Sequence, residues 1–305
     1  MKKIIISLVI MILIGNCVVS SNSKKEFDDL LVLSIEKNDD ICGYIYIYSV
    51  SRGELEKISK FSGYDPKWVN NKGKIVFSTD RDYDPYEIGD PPYNPDIYII
   101  RRDGTNEERL TNNKNSYGHI VCKYNDHIIY IEEINNEEGK FKKIYSMDLN
   151  GGKIKEIFIT KLDITNLDIS PDGKEIVFST YDGIYKHNID SSKQKELQIA
   201  EKIGIYYGSP KYSPDGKEIL YFKGNGTFTK MSICIMDKNG QKNREIVSNM
   251  AFYEAVWSPD GGRIIFITEG ESGGNKLYMI NKDGTGLKEI KLPLDKPYKI
   301  YGIDW

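Results

Sequence analysis

The sequence predicts an all-β fold: a six-bladed β-propeller closed by a C-terminal strand that completes the N-terminal blade. Three observations carry this. The first is repetition. "LDISPDGKEIVFST" (167–180), "PKYSPDGKEILYFK" (210–223) and "AVWSPDGGRIIFIT" (255–268) are one phrase written three times, with looser copies at 66–79 and 119–132. The second is the phrase itself, which sets turn residues between short apolar runs of strand length. The third is composition: 22 Tyr residues, with Ile recurring beside them, favour strands.

Each element of a unit has a physical reason. In Ser-Pro-Asp-Gly, Pro presets φ at the first turn position and Gly accepts the left-handed conformation, so two strands fold back on each other. A second tight turn follows at Asp103-Gly104, Asn150-Gly151, Asn239-Gly240 and Asp283-Gly284. A unit is therefore four antiparallel strands, a to d. One such sheet cannot bury both faces, and four-strand units repeating at roughly 45 residues read as propeller blades. The strand a positions in register are Trp68, Val121, Ile169, Tyr212 and Trp257, and a further step of 48 residues lands on Trp305. The opening runs "LLVLSIE" (30–36) and "YIYIYSVSRGELEKIS" (44–59) supply strands b, c and d without an a, while "IYGIDW" (300–305) supplies an a alone. Joining them makes the sixth blade and removes open sheet edges.

The organisation predicted is a leader over 1–20, a tether over 21–27 and the propeller over 28–305. Lys2 and Lys3 precede the apolar run "IIISLVIMILI" (4–14), too short to span a bilayer and of the length of a secretory core. Two processing routes follow from "LIGNC" and "VVS". In one, Cys17 is the lipid-modified cysteine of an exported lipoprotein tethered to the membrane. In the other, a signal peptidase cuts after Ser20 and the product is secreted or periplasmic. Loss of the leader takes the formal charge from -3 to about -5. That balance excludes a nucleic-acid surface, which needs a basic patch. Cys42, Cys122 and Cys234 are far apart and read as small buried hydrophobes.

With these motifs in place, "WSPDGGRIIFITEG…KLYMINKDGTGLKEI" and "KIVFSTDRD…PDIYIIRRDGTNEERLT" resemble the WD40-like (PD40) repeat of the TolB propeller domain, over about residues 28 to 305. The same repeat occurs in prolyl-oligopeptidase-like peptidases. TolB itself carries an α/β domain ahead of its propeller and the peptidases add a serine-hydrolase domain; this sequence is expected to have neither. The resemblance implies fold strongly and function weakly, because propellers host unrelated activities.

Chemistry-bearing residues are few. No GxSxG elbow is present, and "GESGGN" (270–275) reads as a flexible loop. His119 opens a strand a near the channel, His127 falls in an a–b turn and His187 in a strand c, so they form no expected metal cluster. The segment "STDRDYDPYEIGDPPYNPD" (78–96) expands a b–c loop. Asp80, Asp82 and Asp84 alternate there, which invites calcium, but Pro85 and Pro91 stand where such a loop needs Gly and Glu. The competing readings are a solvated Pro-stiffened loop and a recognition loop presenting Tyr83, Tyr86 and Tyr93.

Because strands alternate in direction, b–c and d–a loops share one face. The long b–c loops, including Glu132 and Glu133 in 132–142, place binding on that face. The function expected is non-enzymatic recognition of a protein, peptide or other ligand by an exported monomer that needs no cofactor. One alternative is a propeller lyase, cyclotransferase or hydrolase with its site at the channel mouth. The other is a TolB-like envelope assembly component.

Overall fold

A computed structural model describes residues 29–37, 43–81, 95–112, 117–124, 127–136, 139–199, 205–225, 230–270, 273–295 and 297–305. These form strands β1 (Leu30–Lys37), β2 (Tyr44–Ser49), β3 (Glu54–Ser62), β4 (Tyr64–Val69), β5 (Lys74–Thr79), β6 (Asp96–Arg101), β7 (Glu108–Arg109) and β8 (Tyr117–Tyr124). They continue as β9 (His127–Asn136), β10 (Gly139–Asp148), β11 (Lys155–Thr160), β12 (Asn166–Ile169), β13 (Glu175–Ser179), β14 (Gly183–Asn188), β15 (Lys193–Ile199) and β16 (Ile205–Tyr212). The last are β17 (Glu218–Asn225), β18 (Met231–Asp237), β19 (Arg244–Met250), β20 (Phe252–Trp257), β21 (Arg263–Glu269), β22 (Asn275–Asn281), β23 (Lys288–Ile290) and β24 (Tyr298–Asp304). Among the described residues no helix is long and apolar enough to cross a membrane.

The strands form six four-stranded antiparallel sheets, ordered β24-β1-β2-β3, then β4 to β7, β8 to β11, β12 to β15, β16 to β19 and β20 to β23. We number these blades I to VI. In blade I, β24 pairs with β1 at Val32–Asp304, Leu33–Ile303 and Ser34–Gly302. Inner strands β4, β8, β12, β16, β20 and β24 each meet the next around a ring, with β20 meeting β24 and β24 meeting β4.

The core lies between blades. Trp68, Phe77 and Tyr98 of blade II pack with Leu30, Val32 and Ile45 of blade I. Trp305, Ile303 and Leu31 of blade I pack with Val256, Ile265 and Leu277 of blade VI. A cross-strand aromatic pair recurs between strands b and c: Phe77 opposite Tyr98, Tyr130 opposite Tyr145, Phe178 opposite Tyr185 and Phe266 opposite Tyr278. Their ring centroids lie 6.1, 5.4, 5.5 and 5.6 Å apart. Such pairs stabilise a sheet beyond their buried area, which gives the Tyr-rich composition a structural use.

The Ser-Pro-Asp-Gly turns are built alike. Gly173, Gly216 and Gly261 have φ of 71°, 68° and 66°. Each donates its N–H to the carbonyl of the turn's serine at 2.8 Å. The serine hydroxyl bonds the turn aspartate, as in Ser170–Asp172 at 2.6 Å and Ser213–Asp215 at 2.7 Å. That bond first, and backbone N–H groups second, hold the Asp172 and Asp215 carboxyls below their ordinary pKa. Blade II makes the same closure from Asn70 to Gly73 (2.9 Å), with left-handed Asn70, Asn71 and Lys72 in place of proline chemistry.

Blade III departs from the expected register. Without the Ser-Pro-Asp-Gly turn, β8 continues to Tyr124 and β9 begins at His127. Ile128 therefore pairs with Lys123, as Ile75 pairs with Trp68, and the ladder shifts between Ile120 and Cys122. Lys123, and not Val121, holds the strand a register position. His127 is likewise the first residue of a strand b and not a turn residue, because it pairs with both Tyr124 and Asp148. Cys234 is buried and unpaired, and burial pushes its thiol up to about 11; Cys42 and the side chain of Cys122 lie outside the described residues.

Candidate functional site

The residue just before each register position points inward, because side chains alternate along a strand. Those residues are Lys67, Asp168, Lys211, Val256 and Asp304. They line a cavity of about 400 Å³ in the central channel. The register aromatics Trp68, Tyr212, Trp257 and Trp305 line it too, and the a–b turn prolines Pro171, Pro214 and Pro259 form its rim. The cavity opens on the a–b turn face, opposite the b–c loops.

Charged side chains in this channel bind one blade to another. Asp304 Oδ2 accepts the Trp68 backbone N–H at 2.8 Å, and Asp168 Oδ2 accepts that of Tyr212 at 2.8 Å. Glu254 accepts the Ile303 N–H at 3.0 Å and pairs with the Lys67 ammonium at 3.2 Å. Lys67 also donates to the Ile303 carbonyl at 3.3 Å. The Trp257 indole N–H donates to the Lys211 carbonyl at 3.2 Å. By contrast, Trp68 Nε1 and the Tyr212 hydroxyl are buried and have no hydrogen-bond partner among the described residues.

The electrostatics have one sign. Burial, reinforced by Glu254, raises Asp65 to about 6 against the pull of Lys67 and Lys211. Burial, reinforced by Asp304, raises Asp168, while Lys211 and backbone N–H groups oppose the shift. Burial disfavours the charge on Lys67, yet Glu254, Asp304 and Asp65 outweigh it and raise its pKa. Carboxylates that resist ionising and a lysine that resists losing its proton both report a negative field.

The sequence-predicted candidates fall elsewhere. Asp80 follows β5 and is half-buried on the b–c side. Glu132 and Glu133 are not in a loop: they belong to β9, opposite Lys143 and Lys142 of β10. Glu133 pairs with Lys140 at 2.8 Å and Lys142 at 3.5 Å. The lysines of the returning strand make this stretch a cross-strand charge ladder, which extends the hairpin. His119 sits in β8, and its side chain lies outside the described residues, as do Asp82, Tyr83, Asp84, Tyr86, Tyr93 and Cys17. His187 is buried in β14 and stacks on Phe158 at 4.2 Å, and burial lowers its pKa. Among the described residues no group of three or more His, Cys, Asp or Glu could hold a metal ion. The channel residues themselves were missed. Their signal was the fixed offset of one residue before each strand a anchor.

Comparison with known proteins agrees with this architecture. The family model "TolB beta propeller domain" (PD40) matches residues 135–296. The Tol-Pal system protein TolB of Francisella tularensis subsp. mediasiatica (strain FSC147) is 26% identical over 178 residues, 56% of this chain and 39% of that protein. The chain thus matches well under half the length of this curated relative. The crystal structure of TolB from Acinetobacter baumannii superposes with a TM-score of 0.70 at 18% identity, covering 91% of this chain and 66% of that one. An oligogalacturonate lyase in complex with manganese superposes with a TM-score of 0.59 at 12% identity, covering 86% and 73% of the two chains. At these identities the structural likeness is one of fold.

Proposed function

The chain belongs to the TolB β-propeller domain (PD40) family, and from that premise we propose that it is an exported, non-enzymatic binding propeller of the cell envelope. The observation that carries this reading is the cavity on the a–b turn face. Five blades contribute to it, its walls combine aromatic and charged side chains, and it has the size of a small-ligand or side-chain pocket. Its carboxylates spend oxygens on the backbone of neighbouring blades, so the walls are preformed. Export rests on the leader, and the membrane tether rests on acylation of Cys17. A protein or peptide partner fits the Tol-Pal system name of the relative.

The test is positional. A photo-crosslinking amino acid is placed at Lys72, on the cavity rim, or at Tyr253, exposed at the opposite end of an inner strand. Illumination of whole cells is expected to give a discrete protein adduct from position 72 and none from position 253. An adduct from position 253 alone would move binding to the b–c face. The second reading, an enzyme at the channel mouth, takes its support from the fold shared with the lyase. Turnover of an oligogalacturonate by the purified protein, lost on removal of manganese, would favour it instead.

A further inference from the structure

We propose that the channel cavity receives a cationic side chain, an ammonium or a guanidinium, carried by the ligand; this rests on reading the cavity as the binding site. The first ground is the aromatic wall. Trp68, Tyr212, Trp257 and Trp305 occupy one register position in four blades and line one cavity. Aromatic faces attract organic cations, most strongly where water is excluded. The molecule already uses two of these rings in this way: Lys72 lies 5.9 Å from the Trp68 centroid and Arg263 lies 5.0 Å from that of Trp305.

The second ground is charge. Asp65, Asp168, Glu254 and Asp304 face two inner-strand ammoniums, Lys67 and Lys211. Lys67 is committed to Glu254. Carboxylates therefore exceed ammoniums along the inner strands, and the raised pKa values of Asp65, Asp168 and Lys67 report that excess. The third ground is the Tyr212 hydroxyl. It is buried, lines the cavity and has no partner, so it can accept an N–H from an incoming group. Lys211 is then the internal competitor of the ligand's charge.

All three tryptophans of the chain line this cavity, so intrinsic fluorescence reports on it without a label. The probes are N-acetyl-lysine amide and N-acetyl-arginine amide, with N-acetyl-norleucine amide and N-acetyl-glutamate as neutral and anionic counterparts. Spermidine stands for a free polyamine and calcium chloride for an inorganic cation. The lysine and arginine compounds are expected to give saturable changes, and the norleucine and glutamate compounds none. Lys211→Met should tighten cation binding about tenfold and Asp168→Asn should weaken it about tenfold, the worth of one charge at several ångströms in a partly screened site. Asn retains an acceptor for the Tyr212 N–H, and thermal melting checks that both variants fold.

Binding of the glutamate compound, or weaker cation binding in Lys211→Met, would overturn the proposal. So would a response to calcium alone. A spermidine response exceeding those of the amino-acid amides would assign the cation to a free polyamine and overturn the side-chain source. If position 72 cross-links a partner while no cation perturbs the tryptophans, the binding reading stands and this inference falls. Cation binding without an adduct from position 72 gives the reverse.

Discussion

Asp304 and Trp68 are 236 residues apart in sequence, yet the carboxylate of one accepts the backbone N–H of the other at 2.8 Å. This bond ties blade I to blade II at the wall of the channel. Asp168 and Tyr212 repeat it between blades IV and V. Replacing Asp304 by Ala leaves a buried N–H unpaired and is expected to cost about 1–3 kcal/mol. Chemical denaturation of the two proteins measures it, with Asp304→Asn expected to lose less.

Removal of residues 300–305 should cost far more. It takes away the part of β24 that pairs with β1 from Ile35 to Val32, and with it buried Ile300, Ile303 and Trp305. At about 1.5–3 kcal/mol for each large apolar side chain, the loss rivals the whole stability of an ordinary domain. The expected outcome is loss of a cooperative melting transition. A drop of only a few degrees would show that β24 is dispensable.

Asp65 sets a pH dependence. Its folded pKa of about 6 exceeds the model value of 3.8. The folded state therefore holds a proton that the unfolded state has released, and stability should fall as pH rises from about 4 to 6. Asp65→Asn removes the titration and should flatten this slope. Asn also suits the left-handed φ of 50° at this position. Melting temperatures of both proteins between pH 4 and 8 decide the matter; an unchanged slope would mean other groups dominate.

Gly151 in the c–d turn of blade III lies against the outer edge of blade II. A Cβ there would stand 2.7 Å from the Leu110 carbonyl oxygen, and the residue has φ of +74°. Gly151→Ala combines a clash with backbone strain and should cost about 1–3 kcal/mol. Gly53 has φ of +69° but nothing within 4 Å of its Cβ position, so Gly53→Ala should pay for strain alone and lose less.

Tyr212→Phe is expected to act in the other direction. The hydroxyl is buried without a partner, so its removal relieves a desolvated polar group at almost unchanged volume. Stability should hold or rise by up to about 1 kcal/mol, as read from urea midpoints.

The ring was legible because its grammar is local. Ser-Pro-Asp-Gly fixes a turn wherever it occurs, and the equal spacing of Trp68, Ile169, Tyr212, Trp257 and Trp305 aligns the blades around it. The reading slipped in blade III, where "YND" is shorter than the turn it replaces and the alignment assumed equal lengths. Glu132 and Glu133 looked like a loop because acidic residues and asparagines run together there. Their partners Lys140, Lys142 and Lys143 make that run a hairpin, a fact that emerges only from pairing. The cavity was hidden for a different reason. Lys67, Asp168, Lys211 and Asp304 differ in type from blade to blade, and only the ring brings them together.

The pairing of β1 with β24 also dictates an order of events in folding. Tyr301 meets Glu36 across 265 residues, so blade I cannot be completed until nearly the whole propeller has been made and delivered. Contacts this distant in sequence form slowly. Until then β1 presents an unpaired edge, a template for intermolecular pairing. The slowest and most aggregation-prone moment in the life of this protein should therefore be ring closure, and escorts that bind extended edges would matter most then.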